Sequence, residues 1–181
     1  MEEYLIRRIS PGDSYEGLVS FPRFFEIETV NACNARCPMC TIDDWDRRDG
    51  LMSDTLFEKI PSAISNHPEV RRVHLYRDGE PLLDKKMPQR VKRMKDAGVR
   101  EVGISTNVAL LSESKGRALL EAGLDSIILS IDSLKKDVYE KIRVNLNFEE
   151  TLDNALNFIK MREGKTKIWV RMIRQELNHD E

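Results

Sequence analysis

The chain has 181 residues, of which 40% are hydrophobic and 33% are charged, and its formal net charge is −2. It contains no apolar run near the roughly 20 residues that a transmembrane helix needs, and its opening residues do not have the pattern of a signal peptide. The near-zero net charge argues against an extended nucleic-acid footprint. We therefore expect a soluble, cytoplasmic protein with neither a nucleic-acid nor a membrane partner.

Strand-like and helix-like stretches alternate along the chain. The stretches that predict strands are FFEIETV, VRRVHLY, VREVGIS, DSIILSID and KIWVRMI. The first predicted helix, SDTLFEKIPSAIS, begins at Ser53 as its N-cap, and two further helices are expected to end at Gly98 and Gly123. The longest helix is expected to present one apolar face, formed by Phe148, Leu152, Ala155, Leu156 and Ile159.

This alternation predicts an α/β fold of parallel strands, either an open doubly wound sheet or a whole or partial barrel. No Gly-x-Gly-x-x-Gly motif follows the first strand, which argues against a dinucleotide-binding sheet. One face of each predicted strand is polar, as with Glu26, His74, Ser105, Ser130 and Arg171. Fully buried parallel strands are apolar on both faces, so the pattern favours a partial (β/α) barrel around a ligand-holding lumen. The alternative is that some of these residues lie at an exposed sheet edge.

Cys33, Cys37 and Cys40 are the only cysteines of the chain, and they follow the first predicted strand directly. Three thiols so close together cannot form a closed set of internal disulfides, and in a reducing compartment such a group is more often a metal site. The carboxyl end of a parallel strand is also where such folds build active sites. Three thiolates can hold three corners of a cubane iron–sulfur cluster, which leaves one iron open for catalysis.

The loop CNARCPMC resembles the signature loop of the radical S-adenosylmethionine (SAM) enzymes, and later motifs resemble theirs in the same order. The resemblance covers roughly residues 22 to 175 and implies the partial barrel of that family. It also implies that Cys33, Cys37 and Cys40 bind a four-iron four-sulfur (4Fe-4S) cluster whose free iron is chelated by SAM. An electron from a donor such as flavodoxin or ferredoxin would cleave SAM to a 5′-deoxyadenosyl radical, which abstracts hydrogen from a substrate.

The turn DGEP resembles the Gly-Gly-Glu-Pro motif with which the family holds the amino group of SAM. Asp78 stands at the first glycine of that motif, and Gly79 and Glu80 match it. A carboxylate at Glu80 has the right charge for an ammonium group. The resemblance also places Met39 near adenine, at a loop position that is often aromatic in the family.

The strand ends STN and SID correspond to places where the family contacts SAM. The resemblance therefore implies that Asn107, Ser130 and Asp132 bind the ribose or the methionine end of the cofactor. Arg143, in the segment VYEKIRVN, is the candidate for the SAM carboxylate, because a guanidinium fork suits a carboxylate bidentately.

The resemblance is closest to the branch that often carries a C-terminal SPASM or twitch domain with cysteines for auxiliary clusters. The family's partial barrel usually has six strands, whereas five are predicted here and no further cysteine is present. We therefore expect a core over residues 22–181 that lacks its last strand and any C-terminal domain, either as part of a longer protein or as a shortened one. The segment 1–21 carries no interpretable pattern.

The expected activity is that of a radical SAM enzyme, with oxidoreductase and transferase types both open. Peptide modification is the first expectation for the substrate, and a small metabolite or sugar is the second. The competing interpretation is a non-catalytic zinc or iron–sulfur module, in which His67, His74 or His179 would complete a zinc site with the three cysteines. That interpretation leaves the DGEP turn and the polar lumen without a role.

Overall fold

The computed structural model describes residues 21–44, 46 and 50–181. Within them, one sheet contains five parallel strands in the order β1-β2-β3-β4-β5, so that spatial order follows chain order. The strands are β1 (Phe24–Glu26), β2 (Arg72–His74), β3 (Glu101–Thr106), β4 (Ser126–Ser130) and β5 (Lys167–Arg171). A doubly wound sheet reverses its strand order at a switch point, and this sheet does not. The expected parallel α/β fold with the strand order of a partial barrel is confirmed.

Helices connect the successive strands. They are α1 (Asp54–Ile64), α2 (Met87–Asp96), α3 (Glu113–Glu121), α4 (Lys136–Ile142) and α5 (Phe148–Met161). As expected, the Ser53 hydroxyl caps α1 by accepting a hydrogen bond from the Leu56 N–H at 3.2 Å. Gly98 and Gly123 follow α2 and α3 with positive φ angles of 89° and 87°, as glycine stop positions require. The seven-residue helix α4 was not predicted, because it is too short for a clear helical period.

The hydrophobic core lies on one side of the sheet, between the strands and the helices. Val102 and Ile104 of β3 and Ile127 and Leu129 of β4 are at most 1% exposed. Alternate residues of the same strands, such as Ser105 and Ser130, point to the opposite face. The sheet thus has an apolar face against the helices and a polar face toward a lumen, as the alternation in the sequence predicts.

Helix α5 buries part of the predicted face, including Ala155, but it is rotated so that Phe158 takes the place of Leu156 and Ile159 in the core. Ala155 and Phe158 are at most 2% exposed, whereas Leu156 and Ile159 are 44% and 38% exposed. The cause is the close approach of α3, where the Phe158 ring lies 3.0 Å from the place that a Cβ on Gly116 would occupy. The missing side chain of Gly116 makes room for Phe158, and this contact sets the rotation of α5.

The N-terminal segment 1–21 lies outside the described residues, apart from Phe21, which stacks on His67. No helix in the described part of the chain has the length and apolar character that a bilayer crossing requires.

The rotation of α5 can be tested with truncations of two residues that lie within one turn and point to different faces. Phe158→Ala should lower the free energy of unfolding by about 3–5 kcal/mol, as for a large buried side chain, and Leu156→Ala by about 1 kcal/mol or less. Urea denaturation of both variants measures the difference. Equal losses would instead support the face predicted from the sequence.

Candidate active site

A pocket opens at the carboxyl ends of the strands, with a cavity volume of about 290 Å³. Its lining contains all three cysteines and every residue that the sequence assigned to the cofactor site except Asp132. These residues come from the loops after β1, β2 and β3, from the last residue of β4 and from the segment after α4. Because the strands are parallel and adjacent, their carboxyl ends bring together residues that are far apart in the chain.

The three thiols share this pocket with two polar side chains. The Asn107 amide nitrogen lies 3.8 Å from the Cys33 sulfur, and an Arg143 guanidinium nitrogen lies 3.6 Å from the Cys37 sulfur. Burial raises the pKa of the Cys33 and Cys37 thiols, so binding a metal must displace protons from them. Hydrogen-bond donors directed at ligand sulfurs are contacts that tune an iron–sulfur cluster. The three thiols and these two neighbours therefore fit an iron–sulfur cluster.

The histidines of the alternative zinc site lie elsewhere. His67 contacts the Glu69 carboxylate at 3.0 Å, His74 stacks on Tyr76, and His179 contacts the backbone carbonyl of Glu176. None of the three is among the lining residues of the cysteine pocket. Within the described residues, no three His, Cys, Asp or Glu side chains converge as ligands of a single metal ion.

The turn after β2 is docked against the cysteine loop through Gly79. A Cβ on Gly79 would lie 2.1 Å from the carbonyl oxygen of Val30 and 2.9 Å from that of Ala32. The next residue, Glu80, donates its backbone N–H to the same Ala32 carbonyl at 2.9 Å. Only glycine allows this approach, so the DGEP turn and the cysteine loop are held as one unit.

Asp78, which replaces the first glycine of the family motif, fits this turn without strain. Among the described non-glycine residues only Val108, Asn145 and Glu163 have positive φ angles, so the backbone at Asp78 does not require glycine. The N–H groups of Asp78 and Gly79 both donate to one carboxylate oxygen of Glu28, at 3.1 and 3.3 Å.

The carboxylate of Glu80 is bound within the protein. It accepts hydrogen bonds from the Thr106 hydroxyl at 2.7 Å, the Asn107 N–H at 2.8 Å and the Leu82 N–H at 3.0 Å, and the residue is 3% exposed. Burial raises the pKa of this carboxyl group, against the effect of its three donors. These contacts give the side chain a positioning role that joins the turn after β2 to the end of β3.

The loop after β3 is strained where it meets the site. Val108, a β-branched residue, has a φ angle of 73°, a conformation that costs on the order of 1–3 kcal/mol. Asn154 of α5 holds it by donating to the carbonyls of Val108 and Ala109 at 3.3 and 3.1 Å. This arrangement fixes Asn107, whose amide also donates to Asn34 of the cysteine loop at 2.8 Å. The sequence gave no indication of Asn154, because its role depends on a contact between distant elements.

Asp132 was expected to contact SAM, but the structure places it behind Arg143. It is fully buried, with Oδ2 2.5 Å from Arg143 Nε, although that N–H is not aligned as a hydrogen bond. Its other oxygen accepts from the Ile173 N–H at 2.7 Å. β4 ends at Ser130, so Asp132 lies two residues beyond the strand. Burial alone would lower the pKa of Arg143, but the neighbouring Asp132 and Cys37 have the larger combined effect and raise this pKa.

Two lining residues were placed on the lumen face by the sequence but not assigned to the site. Ser105 and Arg171 line the pocket beside Ser130, and an Arg171 guanidinium nitrogen lies 2.8 Å from the Ser105 hydroxyl. The alternation of β5 identified the face of Arg171, but a single alternating pattern does not distinguish a binding residue from a solvated one.

Comparison with known proteins identifies the family of this chain. The model of the radical SAM superfamily matches residues 27–172. The chain belongs to this superfamily. Its enzymes use a 4Fe-4S cluster together with SAM, and the three thiols that share one pocket here fit that pair of cofactors.

GTP 3′,8-cyclase from Limosilactobacillus fermentum is 33% identical over 175 residues, which cover 93% of this chain and 50% of that protein. Two solved structures share the fold. BtrN in complex with AdoMet and 2-DOIA has a TM-score of 0.64 at 21% identity, covering 85% of this chain and 58% of that one. Streptococcus suis SuiB bound to precursor peptide SuiA has a TM-score of 0.70 at 19% identity, covering 87% and 35%. The chain spans about half the length of the cyclase it matches.

Two substitutions at the DGEP turn should show that glycine is required at position 79 for its close approach to the cysteine loop, whereas position 78 does not require glycine. Gly79→Ala should displace the turn from the cysteine loop and reduce the iron bound after reconstitution, because its Cβ overlaps the Val30 carbonyl. Asp78→Gly, which restores the family residue, should keep full iron content and cost about 1 kcal/mol or less. Iron analysis and urea denaturation measure the two effects. Equal iron content in both variants would contradict the proposed docking.

The positioning role of Glu80 predicts a large cost for a conservative change. Glu80→Gln introduces an amide donor among three donors and should lower the free energy of unfolding by about 1–3 kcal/mol. Glu58→Gln, which removes a carboxylate from an exposed contact with Arg93, is the control and should have a smaller effect. Denaturant unfolding at neutral pH compares them, and a harmless Glu80→Gln would show that the three hydrogen bonds do not contribute.

Proposed function

We propose that this chain is the catalytic core of a radical SAM enzyme that acts on a small metabolite. The observation that carries the proposal is the single pocket that contains the three thiols and the residues of the SAM motifs. When bound and reduced, the cluster would supply one electron for cleavage of SAM to methionine and a 5′-deoxyadenosyl radical, the species that would abstract hydrogen from the substrate. Flavodoxin or ferredoxin is the class of donor that would deliver this electron.

The three cysteines would ligate the cluster, and the remaining lining residues would hold SAM around it. We assign the SAM amino group to the backbone of the Gly79–Glu80 turn, since the Glu80 carboxylate is already bound to Thr106 and Asn107. Met39 is assigned to adenine, whose ring a thioether can contact.

The ribose and methionine portions of SAM are assigned to residues from the ends of β3 and β4 and to the segment after α4. Asn107 and Ser130 provide an amide and a hydroxyl there. Arg143 is assigned to the SAM carboxylate, and Asp132 would position its guanidinium. A positive charge beside the Cys37 sulfur would also stabilise the thiolate form that a cluster ligand must adopt.

The relatives favour a small metabolite over a peptide as the substrate. GTP 3′,8-cyclase, which is 33% identical to this chain, acts on a nucleotide according to its name. The SuiB structure contains a precursor peptide, but at 19% identity the likeness concerns the fold alone. We therefore reverse the order expected from the sequence and propose a nucleotide-like metabolite ahead of a peptide.

Anaerobic reconstitution with iron and sulfide tests the cluster. The reduced protein should show the electron paramagnetic resonance (EPR) signal of a cubane, this signal should change when SAM is added, and 5′-deoxyadenosine should form. Alanine variants of Cys33, Cys37 and Cys40 should lose the cubane signal, its response to SAM and the formation of 5′-deoxyadenosine. His67→Gln and His179→Gln should keep these three properties. A zinc-loaded protein whose metal content depends on a histidine would refute the proposal in favour of the zinc module.

The substrate class can be tested with GTP that carries deuterium throughout its ribose. Hydrogen abstraction from this substrate should place deuterium in 5′-deoxyadenosine, and mass spectrometry detects the transfer. Guanosine carrying the same label controls for recognition of the phosphates. Formation of 5′-deoxyadenosine that a peptide accelerates and GTP does not would restore peptide modification as the better assignment.

A further inference from the structure

The lumen carries a positively charged side chain that the SAM assignments do not use. Arg171 is the last residue of β5 and pairs in register with Ser130 of β4. Its Nη2 atom lies 2.8 Å from the Ser105 hydroxyl and 3.3 Å from the Ser130 hydroxyl. The side chain therefore reaches across two strands, and it lines the same pocket as the thiols.

The other two arginines that line the pocket are each paired with a carboxylate. Arg77 lies 3.3 Å from Asp78 and 3.7 Å from Glu26, and Arg143 is paired with buried Asp132. Arg171 has hydroxyl contacts but no carboxylate at ion-pair distance among the described residues. Hydroxyl groups do not neutralise a guanidinium, so this part of the pocket holds an uncompensated positive charge.

The local hydrogen-bonding groups are arranged to receive an anion. A guanidinium presents its donors as a planar fork that matches a carboxylate or a phosphate in two parallel bonds. Ser105 and Ser130 both accept from Arg171, and their oxygens lie 3.4 Å apart. One hydroxyl proton can bridge this pair, and the other is left to donate to a bound group.

We propose that Arg171 and Ser105 form a subsite for a phosphate or carboxylate group of the substrate, next to Ser130, which is assigned to SAM. The inference rests on the proposed function and narrows its substrate class to anionic small molecules. SAM brings only one carboxylate, for which Arg143 beside Cys37 is already the assigned partner. The subsite reaches from Arg171 at the end of β5 across to Ser105 on β3, so the charged group of the substrate would lie on the β5 side of the lumen.

The direct test measures dissociation constants of two probe anions and of SAM by calorimetry on the reconstituted chain at fixed salt. Tripolyphosphate represents a phosphate-bearing substrate and citrate a carboxylate-bearing one. Arg171→Gln should weaken the preferred probe by about tenfold or more, the effect of losing a charge-assisted hydrogen bond. Arg171→Lys keeps the charge but not the fork and should give a smaller loss. The affinity for SAM should change by less than that for the probe.

Arg174→Gln is the matched control, because Arg174 contacts the backbone carbonyl of His179 and does not line the pocket. It removes the same charge three residues away and should leave both probe affinities unchanged. Preference for tripolyphosphate or citrate then identifies the anion. If Arg171→Gln does not fold, a weakened probe affinity in folded Arg171→Lys still supports the subsite. An unchanged probe affinity in Arg171→Lys would refute binding of the anion by the Arg171 guanidinium.

Three results would overturn the subsite: equal losses in the Arg171 and Arg174 variants, a loss confined to SAM, or no binding of either probe to the unaltered chain. The EPR response of the unaltered chain to SAM is recorded on the same samples. An absent cluster signal with Arg171-dependent anion binding would refute the radical SAM assignment and leave the subsite standing. A normal cluster signal without anion binding would refute the subsite and leave the radical SAM assignment standing.

Discussion

The contact between Gly79 and the backbone of Val30 and Ala32 is the constraint on which the site depends. It joins the loop after β1, which carries the thiols, to the loop after β2. Glu80 extends the connection to the end of β3 through Thr106 and the Asn107 N–H. Three strand ends are thereby fixed relative to each other before any ligand binds, which reduces the ordering that binding must impose.

The second half of the pocket is organised by charge. Asp132 holds Arg143 beside Cys37, and the same carboxylate accepts the N–H of Ile173 just after β5. A buried acid is costly unless it is paired and hydrogen-bonded, and here Arg143 after α4 and the Ile173 N–H after β5 meet both conditions. The thiol side and the β5 side of the lumen are therefore connected through one buried carboxylate.

The parts of this structure that could be predicted from the sequence are those set by local pattern. The strand–helix alternation, the cap at Ser53 and the close spacing of the thiols depend on neighbouring residues, and each is found where the sequence places it or within a few residues of it. The polar lumen face follows from alternation within strands, which is equally local.

The parts that could not be predicted depend on partners far away in the chain. The rotation of α5 is set by Gly116 on another helix, a contact that the apolar period of α5 alone does not show. Asp132 lies two residues beyond the end of its strand and is paired with Arg143. The Glu80 carboxylate satisfies donors on the next strand, a role that its resemblance to a family motif did not indicate.

Val108 shows how stability and function compete at this site. A glycine at this position would remove the strain of a positive φ angle, yet valine is fully buried there and the loop stays rigid around Asn107. Engineering for thermal tolerance by relieving strained positions would therefore act against the geometry of the pocket. The residues to leave untouched in such a design include Val108 and Asn154, although neither faces the thiols.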